Sequence, residues 1–279
     1  MADQDYREAS LRIWDQMAAG WEGHRGTVWE ASRGVGEWLV TALDPRPGET
    51  VLELAAGVGD TGFAAAAQLG PDGRLITTDF SEQMVDAARR RAGELGVSNA
   101  EFRTLDAERM ELDDGSVDGV LCRWGYMLMA DPAAALAETR RVLSDGGRVA
   151  LSVWGDPEQN PWASVPARAL LEQTGAEPPD PFAPGIFAMA KEERTRELLG
   201  SAGLEPQRVE TVGMEWRFES LAEYWHYVID LKGALAMLVR ALPESEQEVL
   251  SDEVMRRLEP YADGDGYRLP GMCLNVLAA

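Results

Sequence analysis

Residues 51–62, VLELAAGVGDTG, constrain this chain more than any other stretch, because a run of apolar strand formers ends there in a glycine-spaced turn that opens a helix. Glycines in such a turn admit positive φ and let the backbone approach a ligand closely, which marks a nucleotide-type pocket. The spacing Gly57-x-Gly59-x-x-Gly62 satisfies the dinucleotide fingerprint literally. Two residues depart from it. Glu53 stands inside the strand, and the first turn position, where glycine is common, is Ala55.

The charge of the ligand separates the possible cofactors. A dinucleotide presents a pyrophosphate to the helix N-terminus, whereas S-adenosylmethionine carries an ammonium and a sulfonium and no phosphate. A carboxylate in the strand, with Asp60 at the helix start, suits the cations and faces a diphosphate unfavourably. Further stations follow in order. Strand GRLITTD ends at Asp79, placed to accept ribose hydroxyls of either cofactor class. Ser81 is expected to cap the next helix, and Phe80 and Met84 supply apolar contacts for an adenine ring. Strand AEFRTL ends at Asp106-Ala107, from which a carboxylate can accept the adenine amino group, and VDGVLC leads into Arg123-Trp124-Gly125-Tyr126.

In these residues the chain resembles the class I S-adenosylmethionine-dependent methyltransferases, in particular the ubiquinone and menaquinone C-methyltransferase group. The likeness rests on Glu53 to Asp60 (ELAAGVGD), Asp79 to Met84 (DFSEQM), Asp106-Ala107 and Arg141 to Arg148 (RVLSDGGR), and it covers residues 45–155 well. It implies an α/β fold: a doubly wound, seven-stranded Rossmann-like sheet, with an N-terminal helical lid and a helical cap inserted before the last strand. It also implies S-adenosyl-L-methionine as cofactor, held by Glu53, Ala55, Gly57, Gly59, Asp79, Phe80, Met84, Asp106, Ala107 and Arg123. An NAD(P)-dependent oxidoreductase and a non-catalytic methyltransferase-like scaffold stay open as alternatives.

Alternating strands and helices place the core at 46–220, with a proline-rich loop and helix insertion at about 156–190. Residues 1–45 read as the lid, 221–262 as the cap and 263–279 as the last strand. Leu221, Trp225, Val228, Leu231, Leu235 and Leu238 recur at helical spacing, so 220–242 reads as an amphipathic helix, either part of a substrate cap or simply packed on the core or a dimer surface. A net charge of −22 removes the attraction on which nucleic-acid binding depends. The start of the chain lacks a signal pattern, and no apolar run reaches the length of a membrane span, so a cytoplasmic location is expected. Cys122 and Cys273 read as two buried thiols, and no metal-ligand spacing appears, so no metal is expected.

Tryptophans concentrate where an acceptor would lie. Trp14, Trp21, Trp29 and Trp38 precede the first strand, and Trp124, Trp154 and Trp162 fall at or beyond the ends of strands four and five. Trp21 and Trp124 are the expected acceptor contacts, holding a small, partly apolar metabolite. A base is needed only for an acceptor that loses a proton. His24, in the lid, is the candidate, and Tyr126 is a comparable one for orienting an acceptor oxygen; a homodimer is possible.

Overall fold

Short runs of Val, Leu and Ile bounded by glycine and aspartate become strands buried on both faces when helices cover them. In the computed structural model, which describes residues 2–231 and 233–279, they are β1 (Thr50–Leu54), β2 (Arg74–Asp79), β3 (Ala100–Thr104), β4 (Val117–Arg123) and β5 (Leu143–Trp154). Two long strands, β6 (Pro206–Phe218) and β8 (Gly266–Ala278), complete a row in the order β3-β2-β1-β4-β5-β8-β6. The first five are mutually parallel, and β8 runs antiparallel to both β5 and β6. A two-residue strand, β7 (Ala262–Asp263), adds a hairpin partner to β8. The strand order reverses between β1 and β4, which opens the ligand crevice at their C-terminal ends.

The first 45 residues form two helices with different jobs. Helix α1 (Ala2–Gly23) lies over α4 (Glu82–Leu95), whereas α2 (Arg25–Leu43) buries Val28, Val35, Leu39, Val40 and Leu43 against the sheet. Trp38 of α2 donates its Nε1 hydrogen to Glu210 of β6 at 2.7 Å, and Arg148 binds the carbonyls of Leu43 and Asp44. The expected lid of 1–45 is therefore corrected: α2 is a layer of the core, and only α1 crosses the crevice edge. Its apolar stripe was the same in either case, because a helix packs a sheet and a ligand with the same residue types.

The remaining helices are α3 (Asp60–Leu69), α5 (Pro132–Val142), α6 (Pro161–Thr174), α7 (Glu192–Ser201), α8 (Leu221–Leu231), α9 (Gly233–Arg240) and α10 (Glu244–Leu258). The stretch expected as one helix after residue 221 is described as two helical segments, Leu221–Leu231 and Gly233–Arg240, and Gly233, which opens the second, takes φ +48. Leu221, Val228 and Leu231 are buried as the stripe requires, but Leu238, beyond the break, is exposed. Helix α10 packs on α6, tied by Arg257 to Glu172, and buries Leu250, Val254 and Leu258.

Helices α1 and α8 touch closely at one glycine. A Cβ on Gly20 would lie 2.5 Å from the Asp230 carbonyl oxygen. In an unconstrained helix Gly→Ala gains about 1 kcal/mol. Here Gly20→Ala is expected to lose about 1–2 kcal/mol instead, because the added methyl pushes α1 off α8. Denaturant unfolding together with proteolysis of α1 checks this, and a stabilised variant would contradict the close packing.

Candidate functional site

Strand β1 delivers the glycine turn, and each glycine there meets a different surrounding. Ala55, Gly57 and Gly59 take φ of 50°, 56° and 85°. A Cβ on Gly57 would meet nothing within 4 Å, so this position faces the open crevice. On Gly59 it would strike the Phe63 ring at 2.4 Å, and on Gly62 the Glu53 carboxylate at 2.1 Å. Only Gly57 thus leaves room for a ligand, while Gly59 serves packing and Gly62 makes space for an acid. The turn is pinned to β2 by the Ala56 amide on the Thr78 carbonyl, 2.9 Å, and by the Thr78 hydroxyl on the Glu53 carbonyl, 2.7 Å.

Glu53 is buried, and its Oε1 accepts the Gly62 amide at 2.7 Å at the start of α3. Its Oε2 has no hydrogen-bond partner among the described residues. Burial pushes the carboxyl up to about 8, against the opposing pull of that amide and of Arg123. The helix amide that a dinucleotide phosphate would use is therefore already taken by a side chain of the protein.

Asp79 ends β2 under the turn. Its Oδ2 accepts the Gly57 amide at 2.9 Å and its Oδ1 the Ser81 amide at 3.0 Å, and burial raises it to about 6. Each oxygen keeps a lone pair for a further donor. Ser81 caps α4 as expected, accepting the Met84 amide, and donates its hydroxyl to Asp15 of α1 at 2.5 Å. Met84 is 2% exposed and Ala107 9%, so both lie behind the crevice surface, whereas Phe80 is half-buried at it. Asp106 accepts the Glu108 amide on one oxygen and Arg7 of α1 on the other, and Arg7 also binds Glu108. Glu108 in turn accepts the amides of Ala130 and Asp131. Arg7, Asp15 and Glu108 were not legible in the sequence, because the contacts of Arg7 with Asp106 and Glu108 and of Asp15 with Ser81 span 66 to 101 residues.

Beside the turn stands an aromatic wall. Trp124 stacks on Trp154 at 4.2 Å, and the row continues through Trp162 at 4.4 Å, Trp216 at 5.1 Å and Tyr227 at 5.1 Å. His24, between α1 and α2, meets Tyr227 edge-on at 5.8 Å, and its Nε2 lies 3.0 Å from Asp230 of α8. Trp21 is half-buried in α1, 6.2 Å from Trp14, with its indole nitrogen buried and unpartnered. Arg123 donates to Ser32 of α2 and lies 4.7 Å over the Trp124 ring.

Tyr126 does not belong to this group. A 3₁₀ turn at Tyr126–Leu128 carries its ring wholly inside, where the hydroxyl bonds Thr139 Oγ1 at 2.6 Å and burial raises its pKa. The expectation that it orients an acceptor is corrected: it is a satisfied core tyrosine. Cys122 and Cys273 are buried free thiols, both pushed up to about 12 by burial. Among the described residues no cluster of three or more His, Cys, Asp or Glu side chains is arranged to hold a metal ion, and no helix is long and apolar enough to cross a membrane. An open hollow of about 700 Å³ between α3 and the starts of β2 and β3 lies at the opposite end of the strands from the turn.

Residues 45–178 match the family model of a methyltransferase domain. An uncharacterised 37.1 kDa protein in transposon TN4556 of Streptomyces fradiae is 40% identical over 136 residues, covering 49% of this chain and 37% of that protein. The ubiquinone/menaquinone biosynthesis C-methyltransferase of Cupriavidus metallidurans is 41% identical over 112 residues, covering 40% of this chain and 46% of the relative. The match thus spans less than half the length of these curated relatives. A SAM-dependent methyltransferase from Aquifex aeolicus superposes with a TM-score of 0.52 at 20% identity, over 67% of this chain and 90% of its own, a likeness of fold.

The Glu53 carboxyl makes stability depend on pH. Folded, it holds its proton up to about 8; unfolded, it releases it near 4.5, the ordinary value of an exposed glutamate. The folded state therefore binds more protons between those values, and this group's contribution is lost as pH rises through that window. Glu53→Gln keeps an acceptor for the Gly62 amide and cannot titrate. Its stability relative to the parent protein is expected to rise by on the order of 1–2 kcal/mol between pH 5.5 and 7.5. Urea unfolding of both proteins at the two pH values measures it, and a constant difference would show that Glu53 is ionised throughout.

Proposed function

Residues 45–178 form a class I S-adenosylmethionine-dependent methyltransferase domain, and from that premise we propose that the chain transfers a methyl group to a small, partly apolar metabolite by in-line displacement. The observation that carries this reading is the Gly57 cradle. Its open side would be filled by any Cβ, and the carboxylate of Asp79 lies directly beneath its amide. The cofactor supplies an activated methyl on a sulfonium, so the protein's work is binding, alignment and exclusion of water.

The chain's own residues divide that work. Gly57 and Asp79 hold the nucleoside end, with Asp79 accepting ribose hydroxyls and Phe80 supplying an apolar face. Asp106 is the acceptor for the adenine amino group, shared with Arg7. Helix α1, fastened through Arg7 and Asp15, covers the edge and keeps water out. Trp21, half-buried in α1, provides apolar surface for the acceptor, Trp124 backs the site from between Arg123 and Trp154, and His24, oriented by Asp230, takes a proton where the acceptor must lose one. Similarity to a quinone-pathway C-methyltransferase supports a small-molecule acceptor and leaves oxygen, carbon and nitrogen open.

The purified protein is expected to be stabilised by S-adenosylmethionine and by S-adenosylhomocysteine, by about 2.7 kcal/mol at a hundredfold excess over Kd, and not by NAD or NADP. Asp79→Asn should weaken S-adenosylhomocysteine binding by about 10-fold or more, since a charge-assisted hydrogen bond contributes about 1.5–3 kcal/mol. Thermal shift and calorimetric titration read both. Stabilisation by a nicotinamide dinucleotide alone would overturn the assignment.

A further inference from the structure

Arg123 closes β4 at the crevice, and its surroundings leave its charge unanswered. The guanidinium has five N–H donors. Of these, one bonds the neutral hydroxyl of Ser32, and the flat face of the group lies on Trp124. Among the described residues no carboxylate oxygen comes within the 4.0 Å of an ion pair. Other partly buried arginines do have one: Arg7 binds Asp106, Arg91 binds Asp60 and Arg148 binds Glu49. The carboxyl groups whose charges reach Arg123 are Glu53 and Asp60, with the Cys273 thiol and the Tyr227 phenol as weaker neighbours. Asp60 is held by Arg91, and Glu53 is turned to the Gly62 amide, with burial favouring its neutral form.

A desolvated guanidinium with spare donors costs free energy unless an anion completes it. Behind the guanidinium the aromatic side chains are buried, with Trp124 held between Arg123 and Trp154 and the row running inward to Tyr227, so the group stands on an apolar, desolvated base. We propose that Arg123 determines acceptor specificity, and that the acceptor carries one anionic group, a carboxylate or an acidic hydroxyl, that pairs with this guanidinium. The assignment rests on the methyltransferase reading for its placement beside a methyl donor. The chain's net charge of −22 does not oppose it, because a short-range pair in a low-dielectric crevice outweighs the screened field of distant surface acids. A carboxylate also exists at the amino-acid end of the cofactor, so the test separates the two sources.

Protein saturated with S-adenosylhomocysteine is titrated calorimetrically with 1-naphthoate and with the uncharged 1-naphthamide. The acid is expected to bind at least tenfold tighter, Arg123→Met to abolish the preference, and Arg123→Lys to keep part of it. Unchanged S-adenosylhomocysteine affinity in both variants shows that the fold and the cofactor site survive. Equal binding of acid and amide to the parent protein, or an undiminished preference in Arg123→Met, overturns the proposal. A second arm compares S-adenosylhomocysteine with methylthioadenosine, which lacks the amino-acid carboxylate. If Arg123→Met erases that difference instead, the guanidinium serves the cofactor and the acceptor assignment falls. An acid preference in a protein that binds no S-adenosylhomocysteine would keep the anion site and remove the methyltransferase reading.

Discussion

The bond between the Glu53 carboxyl and the Gly62 amide is the contact on which the site depends. It joins the last turn of a buried strand to the first turn of α3, satisfying one of the amides that a helix start leaves over. That contact requires Gly62, since a side chain there would occupy the carboxylate's place. It sets how α3 leaves β1, and the turn between them then presents the Gly57 amide to Asp79. A polar group in a core is costly when half satisfied, and Glu53 is half satisfied. The domain accepts that cost at the position where function needs a rigid turn.

Two kinds of force hold the two halves of the molecule. The sheet and α2 are joined by fully buried Val, Leu and Ile side chains. Helix α1 is fastened largely by polar ties: Tyr6 to the Leu128 carbonyl, Arg7 to Asp106 and Glu108, Asp15 to Ser81, and Glu22 to Arg90. Exposed ion pairs contribute little each, about 0–1 kcal/mol, and they re-form readily in water. Of these ties only Glu22 to Arg90 is exposed; those of Tyr6, Arg7 and Asp15 are partly buried, and Met17 and Ala18 of α1 are buried beside them. Two of those ties end on Asp106 and on Ser81, and the Ser81 amide also bonds Asp79, so the fastening of α1 meets the residues proposed to hold the cofactor.

What could be read in the sequence was whatever is written locally. The strand-turn-helix at 51–69, the acid ending β2, and the Ser81 cap each follow from a few adjacent residues, and all are present. Tyr126 misled because its position after β4 suggested the crevice, while a 3₁₀ turn rotates it into the core toward Thr139. The lid boundary misled because α2 carries the same apolar spacing whether it covers a sheet or a ligand. Gly233 was a visible break inside a periodic stripe, and the stripe outweighed it. Arg7 and Asp15 gain meaning from partners more than sixty residues distant, as does Asp230 from His24, and nothing in their own neighbourhoods announces it.

The antiparallel strand β8 lies between β5 and β6, and β6 has no other strand beside it. During vectorial synthesis β6 therefore emerges without a neighbour to pair with, and it waits while α8, α9 and α10 are made. Its exposed strand edge is a template for wrong partners throughout that interval. The helices of 221–258 are in this sense a delay written into the chain. Until β8 is made, the five parallel strands and β6 are separate pieces of the sheet, and the last thirteen-residue strand is what joins them.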